Sequence, residues 1–204
     1  MIRAVSFDLG GVLFSEGKSV LCRMLEREGY DFNLISKFLT SEHARKLRNG
    51  IIADDELLEA AKRELPCEYD AEVIFRKWYD SYELDKDIFN LVRLLRKSSY
   101  KTVAFSGNIR TRVKYLDEKY DFQRHFDVEV YSYNYGLGKS DPLLTQKMIE
   151  ATKFNSSEIV HVDDSERIAS IIRDEGVNVI VYSKGEIELL RESLKEYGVR
   201  LLDN

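Results

Sequence analysis

Proline and cysteine are scarce here, with two of each in 204 residues. So few prolines, and no low-complexity tract, leave little room for a disordered linker. Cys22 and Cys67 stand apart without metal-ligand spacing, which argues against a cysteine metal site and fits a reducing cytosol. No apolar run approaches the roughly 20 residues of a membrane span. The opening residues, Met1 to Asp8, lack both the charged start and the long apolar stretch of a signal peptide. A cytoplasmic protein with no membrane partner is expected. Excess positive charge is missing too. A net charge of −5 argues against nucleic acid as a partner, which needs a basic footprint. Phosphate ligands are still allowed, because a bound divalent cation reverses the local sign.

What is present is ordinary globular material, 44% hydrophobic and 33% charged, enough for one domain or for one domain with a substantial insertion. Five short apolar segments read as buried parallel strands: 2–7, 102–105, 128–131, 159–162 and 177–182. Helical stripes separate the later ones. Ile88, Leu91, Val92 and Leu95 make one, Ile168, Ile171 and Ile172 another, and Ile187, Leu190 and Leu194 a third. Pro142 after Ser140-Asp141 suits a helix start. Strands alternating with helices predict an α/β fold, a doubly wound, five-stranded parallel sheet. More than ninety residues separate the first two strands, and the stretch from about 15 to 84 reads as helices only. Val20, Leu21, Met24 and Leu25 form one stripe. Leu57, Leu58, Ala61 and Leu65 form another after Asp54, a candidate N-cap, and Ile74, Trp78 and Tyr82 a third. Residues 15–84 are therefore expected to be a helical cap inserted in a core of residues 1–14 and 85–204.

Four segments each end an apolar run with a group suited to phosphoryl chemistry. They are Phe7-Asp8-Leu9-Gly10-Gly11-Val12-Leu13, Phe105-Ser106-Gly107-Asn108, Gly138-Lys139-Ser140-Asp141-Pro142 and Val162-Asp163-Asp164-Ser165. Open α/β sheets place their chemistry at the carboxyl ends of strands. A carboxylate there, Asp8, can attack phosphorus to form an acyl phosphate that water later hydrolyses. An anion attacking a phosphate meets repulsion, which Mg²⁺ held by Asp8 and a second acid relieves. Asp163 and Asp164 are the candidates. A helix cap needs only one acid, and two in succession repel each other without a cation. Ser106, Gly107 and Asn108 make a turn before a helix, a cradle for phosphate, though Ser and Asn are also common turn residues. Lys139 offers a point positive charge to a phosphoryl group; alone, it would read as a solvated lysine.

Together these residues resemble the haloacid dehalogenase-like hydrolase superfamily, most of whose members are Mg²⁺-dependent phosphatases, over nearly the whole chain. The resemblance implies that Asp8 is nucleophile and metal ligand, and that Ser106 is the hydroxyl of the second motif. It likewise implies that Lys139 is the lysine of the third motif and that Asp163-Asp164 is the acidic fourth, with Asp164 the direct metal ligand. The helical insertion then resembles the family's cap. Two positions depart from the pattern. Gly10 stands where the phosphatases carry a second Asp as general acid. Its carbonyl can still reach a metal, but leaving-group protonation, worth about 10²–10⁴-fold, is lost. Gly107 stands where relatives often carry Asn, and Asn108 comes one place later.

The expected activity is hydrolysis of a small phosphorylated metabolite, favouring aryl, acyl or sugar 1-phosphates, whose leaving groups need little protonation. One alternative is a 2-haloacid dehalogenase, which also lacks the second Asp and needs no metal. Another is a catalytically weak protein that binds a phosphorylated ligand or a partner. Natural substrate and oligomeric state are left open. Four smaller expectations follow. His161 reads as a buried, hydrogen-bonded core histidine or a partner of Asp163. Glu42, His43, Arg45 and Arg48 read as a solvated helix face, or else as lid residues that supply the missing proton or select substrate. Arg110 and Arg112 are expected to be exposed, or else to meet a substrate anion. Trp78 should pack in the cap's own core or on its seat.

Overall fold

Ala4, Val5, Ser6 and Phe7 are all fully buried, and they form β1 (Ala4–Phe7), a strand covered on both faces. The computed structural model of the chain describes residues 1–202, apart from the side chains of Lys18 and Cys22. The expectation for Cys22 thus lies outside the described residues, whereas Cys67 is a free, exposed thiol. After β1 come five helices without a strand between them: α1 (Gly17–Arg27), α2 (Phe32–Leu39), α3 (Glu42–Arg48), α4 (Asp54–Glu64) and α5 (Ala71–Asp80). Helix α6 (Lys86–Lys97) and β2 (Lys101–Ser106) then begin a regular alternation. It continues through α7 (Arg110–Tyr120), β3 (Val128–Tyr131), α8 (Pro142–Thr152), β4 (Ile159–Asp163), α9 (Glu166–Asp174), β5 (Asn178–Val181) and α10 (Ile187–Glu196).

The strands form one parallel sheet in the order β3-β2-β1-β4-β5. The chain steps outward from β1 to β3, then crosses back to place β4 on the other side of β1. That reversal puts a switch point between β1 and β4, where such sheets bind ligands. Side-chain alternation divides the core. Val5, Phe7, Val160 and Val162 face the α6, α7 and α10 stripes, among them Ile88, Leu91, Leu116 and Leu190. Ala4, Val103, Phe105 and Ile159 face α8 and α9 through Leu144, Met148, Ile168 and Ile172. Both faces of the sheet are covered, as the apolar runs predict.

Helices α1–α5 gather around their own apolar cluster, built from Leu21, Leu25, Ile35, Leu57, Ile74 and Trp78 and reaching Ile109 beside α7. The chain leaves and re-enters the sheet unit side by side. Ser15 N–H donates to the Glu83 carbonyl (2.8 Å), Asp85 N–H to that of Leu13 (2.8 Å), and Phe14 pairs with Leu84. Asp31, Ser41, Asp70 and Asp85 cap their helices with side-chain oxygens. Asp54 does not. Helix α4 starts after Ala53, whose N–H donates to Glu56 (3.0 Å), while Asp54 accepts the Tyr79 hydroxyl (2.9 Å). Strand ends also differ from expectation: Ser106 and Asp163 are the last residues of β2 and β4 rather than the first beyond them. Among the described residues no helix is long and apolar enough to cross a membrane.

Candidate active site

In register, Phe7 lies level with Val162 on β4 and with Ala104 on β2. The residues that follow are thereby delivered to one edge of the sheet. Asp8 N–H donates to the Val162 carbonyl at 2.9 Å, keeping the ladder intact for one further rung. Beyond it the backbone turns through Gly11 with φ +83°, and a Cβ there would lie 1.9 Å from Asp164 Oδ2. Only glycine permits both the turn and so close an approach. One carboxylate oxygen each from Asp8, Asp163 and Asp164 falls within 4.8 Å of the others.

Lys139, brought in by the loop between β3 and α8, joins two of these acids. Its ammonium lies 2.8 Å from Asp8 Oδ2 and 2.6 Å from Asp163 Oδ2. Gly107 lets it approach, since a Cβ at that position would be 3.2 Å from Lys139 Cβ. Burial alone would lower the lysine's pKa, but the Asp8 and Asp163 charges outweigh it and hold the group protonated. Asp163 is fully buried. Burial alone would raise its carboxyl, yet the Lys139 charge and the His161 hydrogen bond keep it well below the usual range. His161 is itself held neutral, chiefly by burial. Its Nε2–H donates to Asp163 Oδ2 (3.1 Å), and Nδ1 accepts from the Ser6 hydroxyl (3.0 Å). Both readings of His161 hold at once: it is a core histidine and the partner of Asp163.

Asp164 is the unbalanced group. Burial first, then the Asp8 and Asp163 charges, push its carboxyl up to about 6, and Lys139 only partly opposes them. It is not the helix cap. That role falls to Ser165, whose side chain accepts from Ile168 N–H. Three carboxylates thus face one ammonium, a deficit of two positive charges. A set of oxygen donors short by that amount fits a divalent cation.

Ser106 ends β2 and is buried beside this edge. Asn108 is buried with its Oδ1 engaged by Ile109 N–H (2.8 Å) and Arg112 Nε (2.7 Å). Arg110 is exposed as expected, whereas Arg112 is not. At 3% exposure Arg112 is buried, sandwiched between the rings of Trp78 (4.6 Å) and Tyr82 (4.3 Å). The sequence hint was its i+4 spacing from Asn108 on a helix start. Glu42 and His43 do form a solvated face, Glu42 pairing with Lys46 and His43 with Glu64. Arg48 turns inward and donates to the Leu39 carbonyl (3.1 Å).

An open, doubly wound parallel sheet with carboxylates and a lysine clustered at its switch point is the architecture of an α/β protein whose site lies at the strand ends. A haloacid dehalogenase-like hydrolase profile matches residues 2–176, and the chain belongs to that family of hydrolases. It is 35% identical to an uncharacterised protein of Dictyostelium discoideum, over 93% of this chain and 95% of that one. It is 24% identical to bifunctional epoxide hydrolase 2 of Sus scrofa, over 98% of this chain but only 40% of that relative. Among solved structures, a haloacid dehalogenase family enzyme of Bacteroides thetaiotaomicron was determined with magnesium and inorganic phosphate. It superposes with a TM-score of 0.75 at 18% identity, covering 91% of this chain and 96% of that one. L-2-haloacid dehalogenase of Xanthobacter autotrophicus, with chloropropionic acid covalently bound, gives 0.68 at 19%, covering 96% and 83%.

Proposed function

We propose that this hydrolase is a Mg²⁺-dependent phosphatase acting on a small phosphorylated metabolite through an aspartyl phosphate. One observation carries the reading: three carboxylates converge on a single ammonium, leaving Asp164 uncompensated. Asp8, Asp164 and the Gly10 carbonyl would hold the cation, with Asp163 in support. When bound, the ion would neutralise the repulsion between Asp8 and the phosphoryl oxygens. The magnesium and phosphate bound by the Bacteroides enzyme support this assignment.

In the first step an Asp8 oxygen bonds to phosphorus as the bond to the leaving oxygen breaks. Lys139 and Ser106 balance and orient the phosphoryl oxygens. Water then attacks the acyl phosphate, releasing phosphate and restoring the Asp8 carboxylate. Lys139 and His161 keep Asp163 ionised, and Ser6 fixes the His161 ring. Residues 15–84 are read as a lid closing over this edge, a reading that the paired crossings at Ser15 and Glu83 support.

Gly10 favours one competing reading, the 2-haloacid dehalogenase, because halide departs unprotonated. The test is a panel of phenyl phosphate, sugar 1-phosphates, alkyl phosphates and 2-chloropropionate, each with Mg²⁺ or with EDTA. Phosphate release that needs Mg²⁺ and disappears in Asp8→Asn is expected. Chloride release that persists in EDTA would replace this reading, and binding without any turnover would leave a phospho-ligand receptor.

A further inference from the structure

Two arginines near the proposed phosphoryl site have no anion to meet. A cleft of about 770 Å³ opens over Lys139, walled by Arg45, Arg48 and Arg167. Its one carboxylate, Asp141, is already committed to capping α8 through Leu143 N–H (3.0 Å). Arg45 pairs with Glu42 at 3.7 Å, but Arg48 has no carboxylate within ion-pair distance among the described residues. Arg112 is more deeply held. Its Nε uses Asn108, its faces use Trp78 and Tyr82, and its buried Nη1 has no partner.

At the seam between α3 and the turn after β3, Arg48 lies close enough to Arg112 for that charge, after burial, to lower the Arg48 pKa. The Ser132 hydroxyl touches the carbonyls of both Arg48 and Asn108, so the Arg48 backbone and the residue that holds Arg112 share one contact. Like charge brought together out of water is strongly unfavourable unless an anion joins it. The seam also adjoins the chemistry. Asn108 follows directly on Ser106-Gly107, and Tyr82 lies 3.6 Å from where a Gly10 Cβ would stand.

Resting on the phosphatase reading, we propose that the substrate carries a second anionic group, received between Arg48 and Arg112. The transferred phosphoryl group occupies Asp8, Ser106 and Lys139, while a carboxylate or second phosphate on the same molecule neutralises the arginine pair. Arginine suits either anion, because its fork of donors matches both geometries. The substrate class is thus a small metabolite that is anionic at both ends.

Matched substrates test this: phenyl phosphate against 4-carboxyphenyl phosphate, and glucose 1-phosphate against glucose 1,6-bisphosphate, measured in wild type, Arg48→Gln, Arg48→Lys and Arg112→Gln. Wild type should favour a doubly anionic member by tenfold or more in kcat/KM, and the favoured pair identifies carboxylate or phosphate. That ratio should fall at least tenfold in both Gln variants and recover in part in Arg48→Lys. A wild-type ratio near one for both pairs, or ratios unchanged by Arg48→Gln, would overturn the inference. Should Arg112→Gln fail to fold by circular dichroism, Arg48→Gln decides. If wild type hydrolyses no phosphate ester, the phosphatase reading falls, and thermal shift with malonate and pyrophosphate reads the arginine pair instead. A shift lost in Arg48→Gln then upholds the anion site, whereas no wild-type shift removes it.

Discussion

Gly10 is the residue where chemistry and space disagree. The family's acid is missing, yet a Cβ here would meet Tyr82 only at 3.6 Å, an ordinary contact, and the backbone is not left-handed. At the Cβ position nothing forbids a side chain. Gly10→Asp is therefore expected to raise kcat/KM for alkyl phosphates at least tenfold, towards the ~10²–10⁴ range of general acid catalysis. Phenyl phosphate, whose leaving group needs little help, should change far less. Equal gains on both would mean that the new carboxylate acts on something other than the leaving oxygen. Other residues were readable to different depths. Asp8, Lys139 and Asp163-Asp164 could be read because each follows an apolar run or a glycine turn at a strand's exit. Arg112 read as exposed because it is charged; it is buried only because Trp78 and Tyr82, thirty or more positions earlier, stack on it.

At the scale of elements, the contact between α3 and the loop after β3 governs how the helical unit sits on the sheet unit. Gly50, just beyond α3, has φ +69°, and a Cβ there would lie 2.4 Å from the Tyr133 carbonyl oxygen. That oxygen is backbone and cannot swing aside. Gly50→Ala should cost about 1–3 kcal/mol from backbone strain alone, measured by urea unfolding. It should also displace the segment that carries Arg48, raising KM more than it lowers kcat. A drop in kcat alone would show that this seam does not position substrate. Element boundaries were the weaker part of the sequence reading, and for a physical reason. Asp54 looks like a cap from composition, but the Tyr79 hydroxyl takes its carboxylate and Glu56 reaches back to Ala53 instead.

Across the whole molecule, the charge imbalance at the switch point links stability to pH and metal. Asp164 has its folded-state pKa raised to about 6 from 3.8. The folded protein thus binds the more protons between those values, and stability falls as pH rises through that window. Without metal, Asp164→Asn should melt higher than wild type at pH 7.5, an advantage that fades as pH drops from about 6 to about 4. Saturating Mg²⁺ should reverse the order. At a hundredfold excess over Kd, binding stabilises by about 2.7 kcal/mol, or roughly 5–10 °C in a chain of this size, and the variant should gain much less. Melting curves that ignore both Mg²⁺ and the substitution would dissolve the proposed cation site.

The sequence by itself determined the sheet, its helical layers and the polar residues at its strand ends, because burial writes a local period of two or 3.6 into the chain. Tertiary structure alone decided which of those residues meet. Parallel register set Asp8 beside Asp163, a glycine turn admitted Asp164, and Trp78 and Tyr82 closed over Arg112. Such meetings depend on residues thirty or more positions apart, and no local pattern records them.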